Sequence, residues 1–185
     1  MNDSGTDGLS PLGRKLLKLD PAAYTRLVPS GEGVATARDL LRGVQPAELI
    51  AAGSVAQPDE ANALLAGLWL YFDWLDESHR ISQSIDTPTG SFWHAIMHRQ
   101  EPDAGNSGYW FRRVGNHAIF PDLHHKALRI VEAQPAAGVK LPARWDPFWY
   151  IDLCEQARRD RGDLARLAGE IQRAEWQLLF HHCAA

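Results

Sequence analysis

The sequence predicts an all-α protein, a single-domain, bundle-like assembly of about six to eight helices. Three observations carry that expectation. Apolar residues recur at steps of three and four along several stretches, and no period-2 alternation is long enough for a strand. Pro, Gly, Asp and Ser stand at the ends of those stretches, where helices are expected to start and stop. No internal repeat is visible.

Met1–Gly8 is polar and small, and residues 1–10 are expected to form a disordered tail, leaving 11–185 as one helical domain. Pro11, Pro21, Pro29, Gly31 and Gly33 punctuate the next stretch, which has room only for short helices over Leu12–Leu19 and Val34–Arg42. Pro46 suits the first turn of another, running to Ala52.

A long helix is expected from Pro58 to Gln83. Asp59 and Glu60 occupy its first turn, where carboxylates meet the positive end of the helix dipole. Its apolar stripe is Ala61, Leu65, Leu68, Phe72 and Leu75. Asp73, Asp76, Glu77 and Arg80 form a polar stripe.

Asp86-Thr87-Pro88-Thr89-Gly90 reads as a turn, and Ser91 as the N-cap of a short helix from Phe92 to Arg99. Pro102 is expected to stop that helix, and Gly115 ends a short aromatic helix over Tyr109–Val114. Pro121 opens a helix to Gln134. Asp146-Pro147 reads as N-cap and first turn of a helix to Arg161, and Asp163 caps a last helix bearing Leu164, Leu167, Ile171, Ala174 and Leu178. The short turn between the last two helices implies an antiparallel pair. The long helix and this pair are the expected core.

Composition bounds the function. With 185 residues, 45% of them hydrophobic and 23% charged, the chain can bury a sizeable core and is not broadly disordered. The net charge of −4 supplies no cationic excess to neutralise phosphates, so no nucleic-acid partner is expected. Arg158, Arg159 and Arg161, interrupted by Asp160 and Asp163, read as a solvated helix end. Cys154 and Cys183 form no CxxC pair and read as reduced core residues.

Met1–Gly8 lacks the basic and apolar regions of a signal peptide, and the longest apolar run, Ala63–Phe72, is too short to span a bilayer. A cytoplasmic protein of bacterial type is the expectation, with no membrane partner. Walker, Rossmann, GxSxG and HExxH motifs are absent, and no His-Asp dipeptide marks a phosphohydrolase. Gly31-Glu32-Gly33 is too short for a phosphate loop.

Chemistry concentrates between Asp73 and Gly115. Continued past Leu75, the inward row of the long helix reaches His79, Ser82 and Gln83. Such polar groups must be hydrogen-bonded or face a cavity, because a bare buried polar group costs about 1–3 kcal/mol. Either the helix leaves the core there, or His79 and Gln83 line a pocket.

On the next helix His94 and His98 stand one turn apart beside an apolar face of Phe92, Trp93, Ile96 and Met97, with Glu101 expected near His94. Imidazoles at i and i+4 with a carboxylate on the following turn can ligate one ion. That donor set suits a divalent transition metal (Zn, Ni, Mn or Fe) better than Ca or Mg. His79, His94, His98 and Glu101 are therefore the candidate catalytic residues, and His94, His98 and Glu101 the candidate metal ligands.

Gln83, Trp93, Arg112 and Arg113 are the candidate ligand-binding residues. One of the two arginines in Tyr109-Trp110-Phe111-Arg112-Arg113 is suited to clamping an anionic small molecule. The plainer alternative is ion pairing with Asp73, Asp76, Glu77 or Asp103. His117 follows Gly115-Asn116 and could join the central cluster, whereas His124-His125 and His181-His182 project about 100° apart and cannot easily share an ion.

The run Ser91-Phe92-Trp93-His94-Ala95-Ile96-Met97-His98-Arg99, with Glu101-Pro102-Asp103 and Tyr109-Trp110-Phe111-Arg112-Arg113, resembles an uncharacterised family of bacterial hypothetical proteins. Asp76-Glu77-Ser78-His79 and Thr87-Pro88-Thr89-Gly90 resemble the same family's flanks. The likeness covers mainly residues 64–120 and, more weakly, Glu175–Phe180. That family carries no established activity, so the resemblance implies no function and no catalytic residues.

The leading functional expectation is a small-molecule site, with a metal-dependent hydrolase or lyase as its enzymatic form. The alternative is a non-catalytic ligand-binding or interaction module with an exposed Trp-rich docking face. A homo-oligomer built through the C-terminal helix is a third expectation.

Overall fold

A computed structural model describes residues 8–20, 23, 24, 26–29, 33–51, 57–160 and 162–185. Among them run nine α-helices and no strand: α1 (Pro11–Leu17), α2 (Ala35–Leu41), α3 (Pro58–Tyr71), α4 (Leu75–Ser82), α5 (Pro88–Gln100), α6 (Ala104–Val114), α7 (Phe120–Ala133), α8 (Pro147–Asp160) and α9 (Asp163–Ala184). The all-α expectation holds, with more helices than the expected six to eight. Residues 1–7, Pro21, Gly31, Glu32, Ala52 and Arg161 of the segments read above lie outside the described residues.

The largest departure is the expected Pro58–Gln83 helix, which is two helices. Phe72 caps α3 and Asp73 takes a left-handed conformation at φ 64°. The Trp74 N–H donates to Trp69 O at 2.9 Å and the Asp73 N–H to Leu70 O at 3.0 Å. Those two bonds are the pairing of a Schellman stop, which satisfies carbonyls the helix end would leave orphaned. Glycine usually fills the left-handed position. Asp is one of the few other residues that tolerate it, so the stop carries no glycine signal.

The Phe72 carbonyl accepts from Val34 N at 3.0 Å, and the Trp74 indole donates to Val34 O at 3.1 Å, tying α2 to this corner.

The start of α5 also differs from expectation. Thr87, not Ser91, is its N-cap, its hydroxyl accepting from Gly90 N at 3.0 Å with Pro88 in the first turn. Thr-Pro-Thr-Gly is therefore a helix start. Asp103 likewise begins α6 five residues ahead of Tyr109, by capping Asn106 N at 2.9 Å. Asp146 caps α8 as read, accepting from Phe148 N at 2.9 Å.

The Pro46–Ala52 helix shrinks to a single 3₁₀ turn over Pro46–Leu49. At the amino end Leu9 is fully buried and bridges to Ile50, and Ser10 caps α1. The last three residues of the expected tail are thus part of the fold.

α3, α5 and α9 build the centre. α3 is buried almost all round from Ala61 to Tyr71, too apolar on every side to be a surface helix. Gly67 lets α3 approach closely, since a Cβ there would stand 2.8 Å from Trp93 and 3.3 Å from Phe180. The Trp176 indole donates to Gly67 O at 2.8 Å.

α9 packs on α3, α7 and α8, and its apolar residues Leu167, Ile171, Leu179 and Phe180 are fully buried inside the monomer. Of the stripe read from the sequence, Leu167, Ile171 and Ala174 are buried and Leu164 and Leu178 half-buried. α6 lies against α5 and α8, and α4 against α3 and α5. The pair α4 and α5 thus faces α6 across the region where polar residues concentrate.

Candidate functional site

His79 projects from α4, and His94 and His98 from α5. Their candidate ligand atoms all lie within 4.8 Å of one another. The spacing of four stacks the two α5 rings, with centroids 4.8 Å apart and planes inclined by 24°. Nε2 of His94 is 3.0 Å from Nε2 of His98. The His79 ring meets both edge-on, at 4.7 Å from His94 and 5.5 Å from His98. His79 reaches them because Leu75 and His79 share a face of α4, as the stripe implied, although the helix carrying them is a separate one.

The far nitrogen of His98 is fixed. Its Nδ1 lies 3.0 Å from the Glu101 carboxylate. Such a contact holds the proton on Nδ1 and leaves the Nε2 lone pair facing the other two rings. Glu101 caps the end of α5 and is the partner of His98, three residues back, rather than of His94. Its carboxylate accepts from His98, and the third imidazole of the cluster is His79. Of the expected set of His94, His98 and Glu101, the two imidazoles lie together with His79, and Glu101 touches the group through His98. The reason is axial: residue 101 lies nearly two turns, about 10.5 Å, along the helix from 94 but less than one turn, about 4.5 Å, from 98.

His94 is the deepest member, 2% exposed. Burial, with His98 and His79 beside it, lowers its pKa from the ordinary imidazole value to about 3, so the ring is neutral throughout the physiological range. Its outer face is covered by Trp110 of α6, the two rings lying nearly parallel at 3.9 Å. Its Nδ1 is buried without a hydrogen-bond partner. Trp110 escaped the sequence reading, which named Trp93 instead. Trp93 is fully buried on a different face of α5, at 6.3 Å from Trp176 in the α3–α9 core, and belongs to the packing.

Gln83 is exposed at the C-cap of α4 and lies outside the histidine cluster. Of the two arginines, Arg113 holds its guanidinium 5.2 Å from the Trp110 ring centre and pairs with Asp86 at 3.0 Å. Asp86 is none of the four acids expected. Glu77 instead pairs with Arg38, and Asp103 is occupied as the α6 cap. Arg112 is exposed with Nη1 near Gly108, on the side of Phe148.

His117 does not join the cluster. It packs on Phe92 and His182 and meets Thr89 Oγ1 at 3.2 Å. Nor is Arg158 part of a solvated helix end, since its side chain is 14% exposed, pairs with Glu155 and donates to Arg99 O at 3.2 Å. Both cysteines are buried and free. Of the seven Trp residues, Trp69, Trp93, Trp145 and Trp176 are buried, and Trp74, Trp110 and Trp149 are half-buried.

The fold and the cluster define an all-α protein with a three-histidine centre between two consecutive helices, and with no described helix long and apolar enough to cross a membrane. No protein-family model, no curated protein and no solved structure matches the chain.

Proposed function

We propose that this protein is a metal-dependent hydrolase or lyase acting on a small molecule, with His79, His94 and His98 as ligands of one divalent transition ion. The observation that carries the reading is the convergence of three imidazoles, one of them backed by a carboxylate. Three histidines with a fourth position open are a donor set of catalytic zinc centres. Two nitrogens bound to such an ion at about 2.0–2.1 Å in tetrahedral geometry stand roughly 3.3 Å apart. The 3.0 Å between the His94 and His98 Nε2 atoms is close to that spacing.

Each residue has its part in that reading. His98 is oriented by Glu101 and made a better donor by it. His94 is held neutral by burial and kept in place by the Trp110 stack. His79 closes the triad from the neighbouring helix. All-imidazole coordination selects Zn, Ni or Fe over the oxygen-loving Ca and Mg. A bound ion of this kind supplies an acidified water for hydrolysis or elimination.

The test is elemental analysis of tag-free protein reconstituted with Zn, Ni, Mn or Fe(II) and then dialysed. One equivalent of ion is expected in the wild type and well under a tenth in H94A and H98A, with circular dichroism unchanged. Loaded wild type should hydrolyse a p-nitrophenyl ester or phosphate faster than either variant. Retention of no ion, or equal retention in all three proteins, overturns the reading.

A further inference from the structure

We infer that Arg113, seated against Trp110, is the anion-holding residue of the histidine site, and that the molecule bound there carries a carboxylate or phosphate which takes the place of Asp86. The inference rests on reading the three imidazoles as the reaction centre, and it adds the class of compound they serve.

The argument starts from α6. Trp110 and Arg113 are three residues apart and therefore neighbours on one face. The Trp110 indole touches both ends of the proposed arrangement, stacking on His94 at 3.9 Å and lying 5.2 Å from the Arg113 guanidinium carbon. A flat cation held against an indole keeps its fork of N–H groups at the rim, the geometry that recognises two oxygens of one anion.

Arg113 also reaches across to the connection between α4 and α5, the two helices that supply the histidines. Its partner there is Asp86 at 3.0 Å, and the pair is open to solvent, with Asp86 94% and Arg113 45% exposed. An ion pair in water is worth little, so an incoming carboxylate or phosphate exchanges for Asp86 at small cost.

The other arginines near this region are committed differently. Arg38 lies on Trp74 and pairs with Glu77, which Arg80 also approaches at 3.7 Å. Arg99 is sealed in the core with Glu175, and Arg158 is turned to Glu155 and the Arg99 carbonyl. Arg112, adjacent in sequence to Arg113, projects toward Gly108 and Phe148 and away from the Trp110 contact. The guanidinium that the indole couples to His94 is therefore that of Arg113.

The experiment is anion titration of the full-length protein, followed by calorimetry and by line broadening of the ligand signal. Inorganic phosphate and acetate are used as separate probes, first on metal-free protein and then on zinc-loaded protein. Expected for metal-free protein is saturable binding of at least one probe, weakened about tenfold or more in R113Q, unchanged in R112Q, and tightened severalfold in D86N, which removes the competing charge. Whichever probe binds names the anion class.

Binding lost in R113Q but kept in H94A supports the anion site even if no metal is ever retained, so the two proposals fail separately. The inference is overturned if neither probe saturates, if R113Q binds as the wild type does, or if R112Q and R113Q weaken binding equally.

Discussion

Arg99 and Glu175 meet deep inside the protein as a two-pronged ion pair, with side chains 1% and 0% exposed. Nη1 of Arg99 donates to one carboxylate oxygen at 3.2 Å and Nη2 to the other. The guanidinium lies 4.5 Å from the centre of the Tyr150 ring. Arg99 immediately follows His98, so the pair links the helix of the histidine cluster to α9. A buried charge left without its partner costs about 3–5 kcal/mol, whereas replacing both by apolar groups is often close to neutral. Glu175→Ala is accordingly expected to lose 3–5 kcal/mol in urea denaturation at pH 7, and Arg99→Met with Glu175→Leu to recover most of it. A loss under 1 kcal/mol in the single variant would contradict this account.

Glu101 acts on the cluster only through His98 Nδ1, and its side chain is 38% exposed. Its removal should leave the fold intact and weaken the proposed ion's hold. For Glu101→Ala the zinc Kd, read by competition with a chromophoric chelator, is expected to rise about 10–100-fold. Glu101→Gln, which keeps an acceptor without the charge, should fall between. Identical affinities in all three proteins would leave the carboxylate without the role given to it.

Asp73 holds the left-handed position that separates α3 from α4. Its carboxyl is half-buried, and burial raises its pKa while Arg26 pulls the other way, so the charge is not strongly stabilised. The backbone angle therefore dominates. Asp73→Val should cost about 1–2 kcal/mol, because a β-branched side chain strains a positive φ, and Asp73→Gly should be neutral or stabilising. Thermal melting of the two variants decides it, and equal melting temperatures would refute the argument.

His117 is 5% exposed, and burial together with nearby His182 lowers its pKa from 6.5 to about 4. The unfolded chain therefore takes up this proton first. Stability owed to the neutral ring is complete above about pH 6.5 and drains away as pH falls toward 4. Between pH 7 and 5 that amounts to about 2 kcal/mol. His117→Gln should show a correspondingly shallower loss of urea midpoint over that interval. Parallel pH profiles would show that His117 is not the group responsible.

The helices were legible because their apolar residues keep step with the helical turn, and the His94–His98 pair because spacing alone puts the two on one face. Three features were not. Asp73 ends a helix with a residue that carries no stop signal of its own, since Asp is ordinary inside polar stripes. Thr87-Pro88-Thr89-Gly90 has the composition of a turn and of a helix start at once. Trp93 and Trp110 are indistinguishable by type; only the packing of α6 on α5 sends one to the core and the other to His94. His117, Arg113 and Arg158 each found partners far away in the chain, which local spacing cannot supply.

The indole of Trp110 in face contact with His94 has a practical consequence. Excited indoles give up their energy to electron-accepting or paramagnetic neighbours at touching distance. A copper, nickel or cobalt ion entering at that imidazole would darken this tryptophan first. Replacing Trp110 by Phe should remove the largest part of that dimming.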